Sequence, residues 1–197
     1  MRTGMKRYIS LALCGKASRK VLVHAKAQRR IFKKNIILFT TNFMTLKQGD
    51  KAPAFSTIDQ DGNKVSLKDF MGKKVVLYFY PKDNTPTCTV EACNLRDNFS
   101  LLQQKGVVVL GVSADSARSH KKFEQKHSLP FTLLADEDHT LLDAYGVWAE
   151  KKMMGRTYMG ILRTTFLINE KGKIDHIIEK VDSKNHTAQI EALWNIK

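Results

Sequence analysis

From Met44 onward the hydrophobic positions alternate between short apolar runs and longer stretches where apolar residues recur every three or four positions. "KVVLYFY" (74–80) and "VVVLGVS" (107–113) are rich in β-branched and aromatic residues, the pattern of strands covered on both faces. Between them Cys88, Ala92, Leu95, Phe99 and Leu102 fall at helical spacing and form one inward stripe, which predicts a helix over 87–104. Strand, helix, strand is a βαβ unit, with the two strands parallel and the crossover right-handed. A helix follows at 116–127, a short strand at 131–134 and a helix near 138–145. "TTFLINEKGKIDHIIEKV" (164–181) reads as a hairpin turning at "NEKG", and an amphipathic helix near 187–195 closes the chain. No repeat, low-complexity linker or second boundary interrupts this pattern. The expectation is one α/β domain over 44–197, a central mixed β-sheet flanked by helices.

The first 43 residues have a different composition. They hold eleven of the chain's 33 Lys and Arg and none of its 19 Asp and Glu, so they carry +11 of the formal +14 and leave +3 for 44–197. Basicity therefore says little about partners of the domain, and neither a nucleic-acid nor a membrane partner is expected. Arg- and Lys-rich, acid-free sequence fits an organelle-targeting presequence. The "MTLKQGDKAPAF" that begins at Met44 also looks like an independent start, which would make 1–43 an upstream-start artefact; a basic arm is a third reading. Its apolar stretches fall well short of the roughly 20 residues that span a membrane. The domain itself is expected in the cytoplasm, or in an organelle if 1–43 is a presequence.

Three cysteines are too few for a disulfide-stapled secreted scaffold and suit a reducing compartment. Cys14 lies in the basic segment with no chemical partner nearby. Cys88 and Cys93 lie together in "YPKDNTPTCTVEAC" (80–93), open to three readings: a structural disulfide, a metal site, or a reactive thiol with a partner. Cys88 falls in the first turn of the helix, where unpaired N–H groups and the positive end of the helix dipole favour a thiolate and a nucleophilic sulfur. Thr85 as a hydroxyl cap and Pro86 as the first helical residue fit that entrance. Cys93 is turned about 140° from Cys88 and lies about 7.5 Å further along the axis. A bridge needs Cα atoms within about 7 Å, so it cannot form on an intact helix. That argues against a static bridge and for a transient one. The histidines at 120, 127, 139, 176 and 186 do not fall into ligand spacing with the cysteines, so neither metal nor cofactor is expected.

"YFYPKDNTPTCTVEACNLRD", with "GDKAPAF", "LPFTLLAD", "YGVW" and "KKMMGRTYMGILRTTFLI", resembles the peroxiredoxins, and the second cysteine five residues on is similar to the peroxiredoxin Q or bacterioferritin comigratory protein type. The P-x-x-x-T-x-x-C core is specific for that family; Thr87 departs from the glycine often found before the cysteine. The resemblance implies a thioredoxin-like fold and a thiol peroxidase acting on hydrogen peroxide and organic hydroperoxides. Cys88 would be the peroxidatic cysteine, oxidised to a sulfenic acid, and Cys93 the resolving cysteine that closes an intramolecular disulfide. Thioredoxin or a similar dithiol protein would reduce that disulfide. The resemblance further implies that Thr85 bonds the peroxide, that Pro81 shields the sulfur, and that Arg163 holds the thiolate and polarises the peroxide. By composition alone Arg163 would read as a surface charge. Glu91 and Arg96 read as solvated helix charges, and Met153, Met154, Tyr158 and Met159 as packing or loop cover.

Intramolecular resolution needs no second subunit, so a monomer is expected, with a weak dimer as the alternative. From another class, the same thiolate would serve a peroxide sensor or a holdase-type chaperone without sustained turnover.

Overall fold

A computed structural model describes residues 46–153 and 155–196; the expectations for 1–43, Cys14 and Met154 lie outside the described residues. A seven-stranded sheet runs in the order β2 (Lys64–Ser66), β1 (Ser56–Asp59), β5 (Thr132–Ala135), β4 (Val107–Ser113), β3 (Lys74–Phe79), β8 (Thr164–Ile168), β9 (Ile174–Ile178). Its centre is β3 (Lys74–Phe79), paired in parallel with β4 (Val107–Ser113) and antiparallel with β8 (Thr164–Ile168). β5 (Thr132–Ala135) continues the parallel side, and β9 (Ile174–Ile178) completes the hairpin expected after 164. The mixed sheet predicted from the apolar runs is therefore present, with β3 and β4 buried almost throughout.

Four strands have no counterpart in the sequence expectation. β1 (Ser56–Asp59) and β2 (Lys64–Ser66) are short edge strands with partly exposed side chains, joined through a 3₁₀ turn (Leu67–Phe70) to β3. β6 (Trp148–Met153) and β7 (Arg156–Ile161) form a separate hairpin, with Arg156 through Met159 exposed. A strand without a buried face leaves no alternation to read.

The helix expected over 87–104 is two helices, α1 (Pro86–Asp97) and α2 (Phe99–Gln104). Asn98 breaks them at φ −108°, ψ 10°, and its side-chain amide donates to the Asn94 carbonyl at 2.8 Å. An asparagine that offers the backbone a competing bond is a natural place for a helix to stop. α3 (Ala117–His127), α4 (Thr140–Ala144) and α5 (His186–Trp194) lie within a residue or two of the expected positions.

The period-two alternation of β3 divides the core. Val75, Leu77 and Phe79 face one cluster with Leu141, Leu142 and Tyr145 of α4 and its following turn. Val76, Tyr78 and Tyr80 face the other, with Cys88, Ala92 and Leu95 of α1, Phe123 of α3 and Ile190 of α5. The predicted inward stripe is thus confirmed, and Cys88 belongs to a packed layer. Among the described residues no helix is long and apolar enough to cross a membrane.

The fit around Tyr78 is tight. A methyl group at Gly111 would lie 2.7 Å from the Tyr78 ring carbon and hydroxyl and 2.8 Å from Leu133. Gly111→Ala is expected to destabilise the protein by about 1–3 kcal/mol through overpacking, read as a lower urea midpoint. An unchanged midpoint would contradict this packing.

Candidate active site

β3 delivers the chain to the carboxyl edge of the sheet, where Tyr80 N–H donates to Val112 O (3.1 Å). The loop from Pro81 to Thr85 is then held by Asp83, a buried carboxylate. It accepts from Tyr80 Oη (2.8 Å) and Ser119 Oγ (2.7 Å) and faces His120 Nδ1 at 2.9 Å. The Asp83 N–H donates to the Asp115 carboxylate (2.9 Å), which also accepts from Ser113 Oγ (2.8 Å). His120 Nε2 lies 3.1 Å from the Leu134 carbonyl. A carbonyl only accepts, so Nε2 carries the proton directed at it, and Nδ1 faces the Asp83 carboxylate. Burial pushes the Asp83 carboxyl up, but its bonds to His120, Ser119 and Tyr80 outweigh that and hold it below its ordinary value. Asn84 takes the left-handed conformation (φ 56°) that turns the chain into the helix.

Thr85 is the N-cap of α1 and Pro86 its first residue, as the sequence predicts, so Cys88 is the third helical residue. The expected hydroxyl cap is not formed. Thr85 Oγ1 instead donates to the Lys82 carbonyl at 3.1 Å, folding the loop on itself. Cys88 is only 2 % exposed. Arg163, from the turn between β7 and β8, places Nη2 3.2 Å from Cys88 Sγ, and its Nη1 donates to Glu91 Oε2. Arg163 is therefore part of the cysteine's surroundings and not a surface charge.

Glu91 corrects the sequence reading: it is fully buried, not a solvated helix charge. One oxygen binds Arg163 and the other lies 3.3 Å from His186 Nδ1 at the start of α5. His186 is also fully buried, with Nε2 3.0 Å from Thr165 Oγ1 and its ring edge-on to Tyr78. Burial, and after it the Arg163 charge, lower its pKa to about 3, so the imidazole is neutral at physiological pH. The three-residue spacing of Cys88 and Glu91 puts both on one helix face, a signal that could have identified Glu91. Nothing in the local sequence marks His186, Asp83 or His120. Arg96 stays partly exposed, paired with Asp97 and donating to the His127 carbonyl.

Both cysteines are free thiols within an intact α1, Cys88 buried and Cys93 half-buried. Pro81 lies beside a cavity of about 360 Å³ lined also by Trp148, Tyr158, Met159 and Ile161. Tyr158 and Met159 are 42 % and 50 % exposed, so of the packing or loop cover expected of them they provide the cover, as an open wall of this cavity. Among the described residues no group of three or more His, Cys, Asp and Glu is placed to hold a metal ion.

Residues 48–177 match the AhpC/TSA family. Peroxiredoxin Bcp of Escherichia coli (strain K12) is 52% identical over 141 residues, covering 72% of this chain and 90% of that protein. Peroxiredoxin Bcp of Bacillus subtilis is 47% identical over 154 residues, covering 78% and 97%. A cysteine-to-serine mutant of PrxQ from Xylella fastidiosa has a similar structure, with TM-score 0.72, 31% identity and coverage of 76% and 96%. A trapped intermediate or ligand complex of the Xanthomonas campestris bacterioferritin comigratory protein, described for its alkyl peroxide reduction activity, is similar at TM-score 0.67 and 34% identity, covering 72% and 90%.

The His186 environment has a pH signature. Its folded pKa of about 3 lies below its ordinary 6.5, so the unfolded chain binds the proton first on acidification. Stability contributed above pH 6.5 is lost as the pH falls toward 3, at up to about 1.4 kcal/mol per pH unit from this group. Urea unfolding at pH 7 and pH 5 should show a smaller loss in His186→Asn than in the parent, and equal losses would contradict a buried neutral His186.

Proposed function

The chain belongs to the AhpC/TSA family and is a thioredoxin-fold peroxiredoxin, and we propose that it works as an atypical two-cysteine thiol peroxidase with Cys88 as the attacking and Cys93 as the resolving sulfur. The observation that carries this reading is Arg163 Nη2 at 3.2 Å from Cys88 Sγ, at the third residue of a helix. An arginine that aims one N–H at a buried sulfur and another at a fixed carboxylate stabilises the sulfur as an anion.

The thiolate attacks the terminal oxygen of the peroxide. Its electron pair makes the S–O bond, the O–O bond breaks, and the leaving alkoxide or hydroxide takes a proton to become alcohol or water. Arg163 is placed to stabilise the charge that builds on the departing oxygen. With its own proton committed to Lys82 O, the Thr85 hydroxyl oxygen is free to accept from the peroxide O–H. Pro81 and Pro86 bound the loop that keeps bulk water from the sulfur. Cys93 then attacks the Cys88 sulfenic acid, forming the disulfide and releasing water. A dithiol reductant such as thioredoxin returns both sulfurs to thiols by exchange, becoming a disulfide itself.

Hydrogen peroxide and organic hydroperoxides are the proposed substrates. The open cavity beside Pro81, with Trp148 and Tyr158 in its wall, suits an apolar substituent, and the Xanthomonas campestris neighbour is described as reducing alkyl peroxides. Attack and resolution by two cysteines of one chain support a monomer, and the low cysteine count suits a cytoplasmic or similarly reducing compartment.

Three variants test the assignment with thioredoxin, its reductase and hydrogen peroxide. Cys88→Ser is expected to abolish peroxide consumption. Cys93→Ser should retain the first oxidation and lose thioredoxin-driven turnover; sustained turnover would sink intramolecular resolution. Arg163→Gln should slow the first oxidation by about 10²–10³-fold, the cost of one charge-stabilising donor. A rate in the parent protein no better than free thiol would favour a sensor or holdase.

A further inference from the structure

Forming the Cys88–Cys93 bond requires α1 to open, because helix geometry separates the two residues by about 7.5 Å along the axis. Where the opening stops decides which sulfur travels. The anchors along α1 are unequal in number and in kind. In the first half Pro86, Thr87 and Val90 are exposed while Cys88, Glu91 and Ala92 are buried, and the polar holds are those of Arg163 on Cys88 and Glu91 and the 3.3 Å approach of His186 Nδ1 to Glu91. The residue after Cys93 is held very differently. Asn94 Nδ2 donates to the Lys184 carbonyl at 2.8 Å. Its Oδ1 accepts from the Thr187 amide at 2.9 Å and the Thr187 hydroxyl at 3.0 Å. Its backbone carbonyl accepts from Asn98 Nδ2 at 2.8 Å. Beyond it, Leu95 is fully buried and Arg96 holds the His127 carbonyl. The partner side is equally fixed, since His186, Thr187 and Ile190 of α5 are all buried.

The two anchors respond differently to the reaction. Arg163 holds Cys88 through one N–H directed at the sulfur that peroxide oxidises, so that contact is remade when the sulfur becomes a sulfenic acid. The Asn94 clip is made of neutral amide, hydroxyl and carbonyl groups that oxidation leaves untouched.

We propose that Asn94 is a positioning residue for disulfide formation, pinning α1 to α5 immediately after Cys93 so that opening is confined to residues 86–93 and Cys88 swings to a stationary Cys93. The inference rests on the assignment of Cys88 and Cys93 above. In the step it governs, the Cys93 sulfur attacks the Cys88 sulfenic sulfur, the S–S bond forms, the S–O bond breaks, and the hydroxyl leaves with a proton as water. An amide side chain suits the position because it offers a donor and an acceptor on one short stem.

Amide hydrogen exchange, read by peptide mass on the full chain, tests it. The protein is compared reduced and after one equivalent of hydrogen peroxide, with intact mass first establishing the Cys88–Cys93 disulfide. In the oxidised parent, amides 89–97, whose helical acceptors are the carbonyls of 85–93, are expected to exchange about tenfold faster or more, while those of 102–104 and 187–194 keep their reduced-state rates. In Asn94→Ala, oxidised against reduced, the fast exchange should spread into 102–104 and the first turn of α5; Thr187→Val, which removes the hydroxyl bond but keeps the Thr187 amide on Asn94 Oδ1, should show a smaller spread. Asn94→Asp, which keeps the acceptor for Thr187 but loses the donor to the Lys184 carbonyl, should restore the boundary only in part. Fast exchange in 102–104 or 187–194 of the oxidised parent, or a parent-like boundary in Asn94→Ala, would overturn the proposal. Failure of the parent to form the disulfide would instead remove the two-cysteine assignment, and the proposal with it.

Discussion

The guanidinium of Arg163 sits between two groups that each need it, the Cys88 sulfur and the Glu91 carboxylate. Both are buried, and an isolated anion in such a place would be neutralised by protonation. One planar cation with several N–H donors serves both at once, which a lysine ammonium, a flexible point charge, would do less well. The remaining architecture follows from that need. Antiparallel pairing of β8 with β3 brings the turn carrying Arg163 to the carboxyl end of β3, where α1 begins. Three-residue spacing on α1 then puts Glu91 on the same face as Cys88.

Two buried polar clusters support this arrangement from either side of the helix entrance. Asp83, His120, Tyr80 and Ser119 fix the loop that precedes α1, and their mutual hydrogen bonds compensate the burial of the Asp83 carboxylate. Glu91, His186 and Thr165 lie beneath the cysteine, and here the histidine stays neutral because burial and Arg163 both oppose its charging. A charged His186 would compete with Arg163 for Glu91. Its neutrality leaves the guanidinium as the cation that Glu91 orients toward the sulfur.

Much of the fold was legible because its strands and helices have a buried face. The runs at 74–80 and 107–113 and the stripe from Cys88 to Leu102 all appear where the pattern places them. The exposed hairpin of β6 and β7 and the edge strands β1 and β2 carry no such pattern, and the break at Asn98 depends on one side-chain hydrogen bond within an otherwise continuous period. In the site, Cys88 was legible from its position at a helix start, whereas Arg163 came only from family resemblance, since its nearest charged partner is 72 residues away in sequence. Glu91 was misread because its polarity argues for solvent and only tertiary contact shows otherwise. Thr85 was placed correctly at the N-cap, but the direction of its hydroxyl depends on the fold of the loop behind it.

The central claim is that the Arg163-held sulfur of Cys88 is the atom that peroxide oxidises and that Cys93 alone completes the bridge. Adding one equivalent of hydrogen peroxide to the reduced protein and mapping oxidation by mass spectrometry tests both parts together. The account predicts loss of two hydrogens in the parent, located to a Cys88–Cys93 bridge, and gain of one oxygen at Cys88 when Cys93 is serine. First oxidation at Cys93 or Cys14, or a parent protein that retains the added oxygen without forming the bridge, would contradict it.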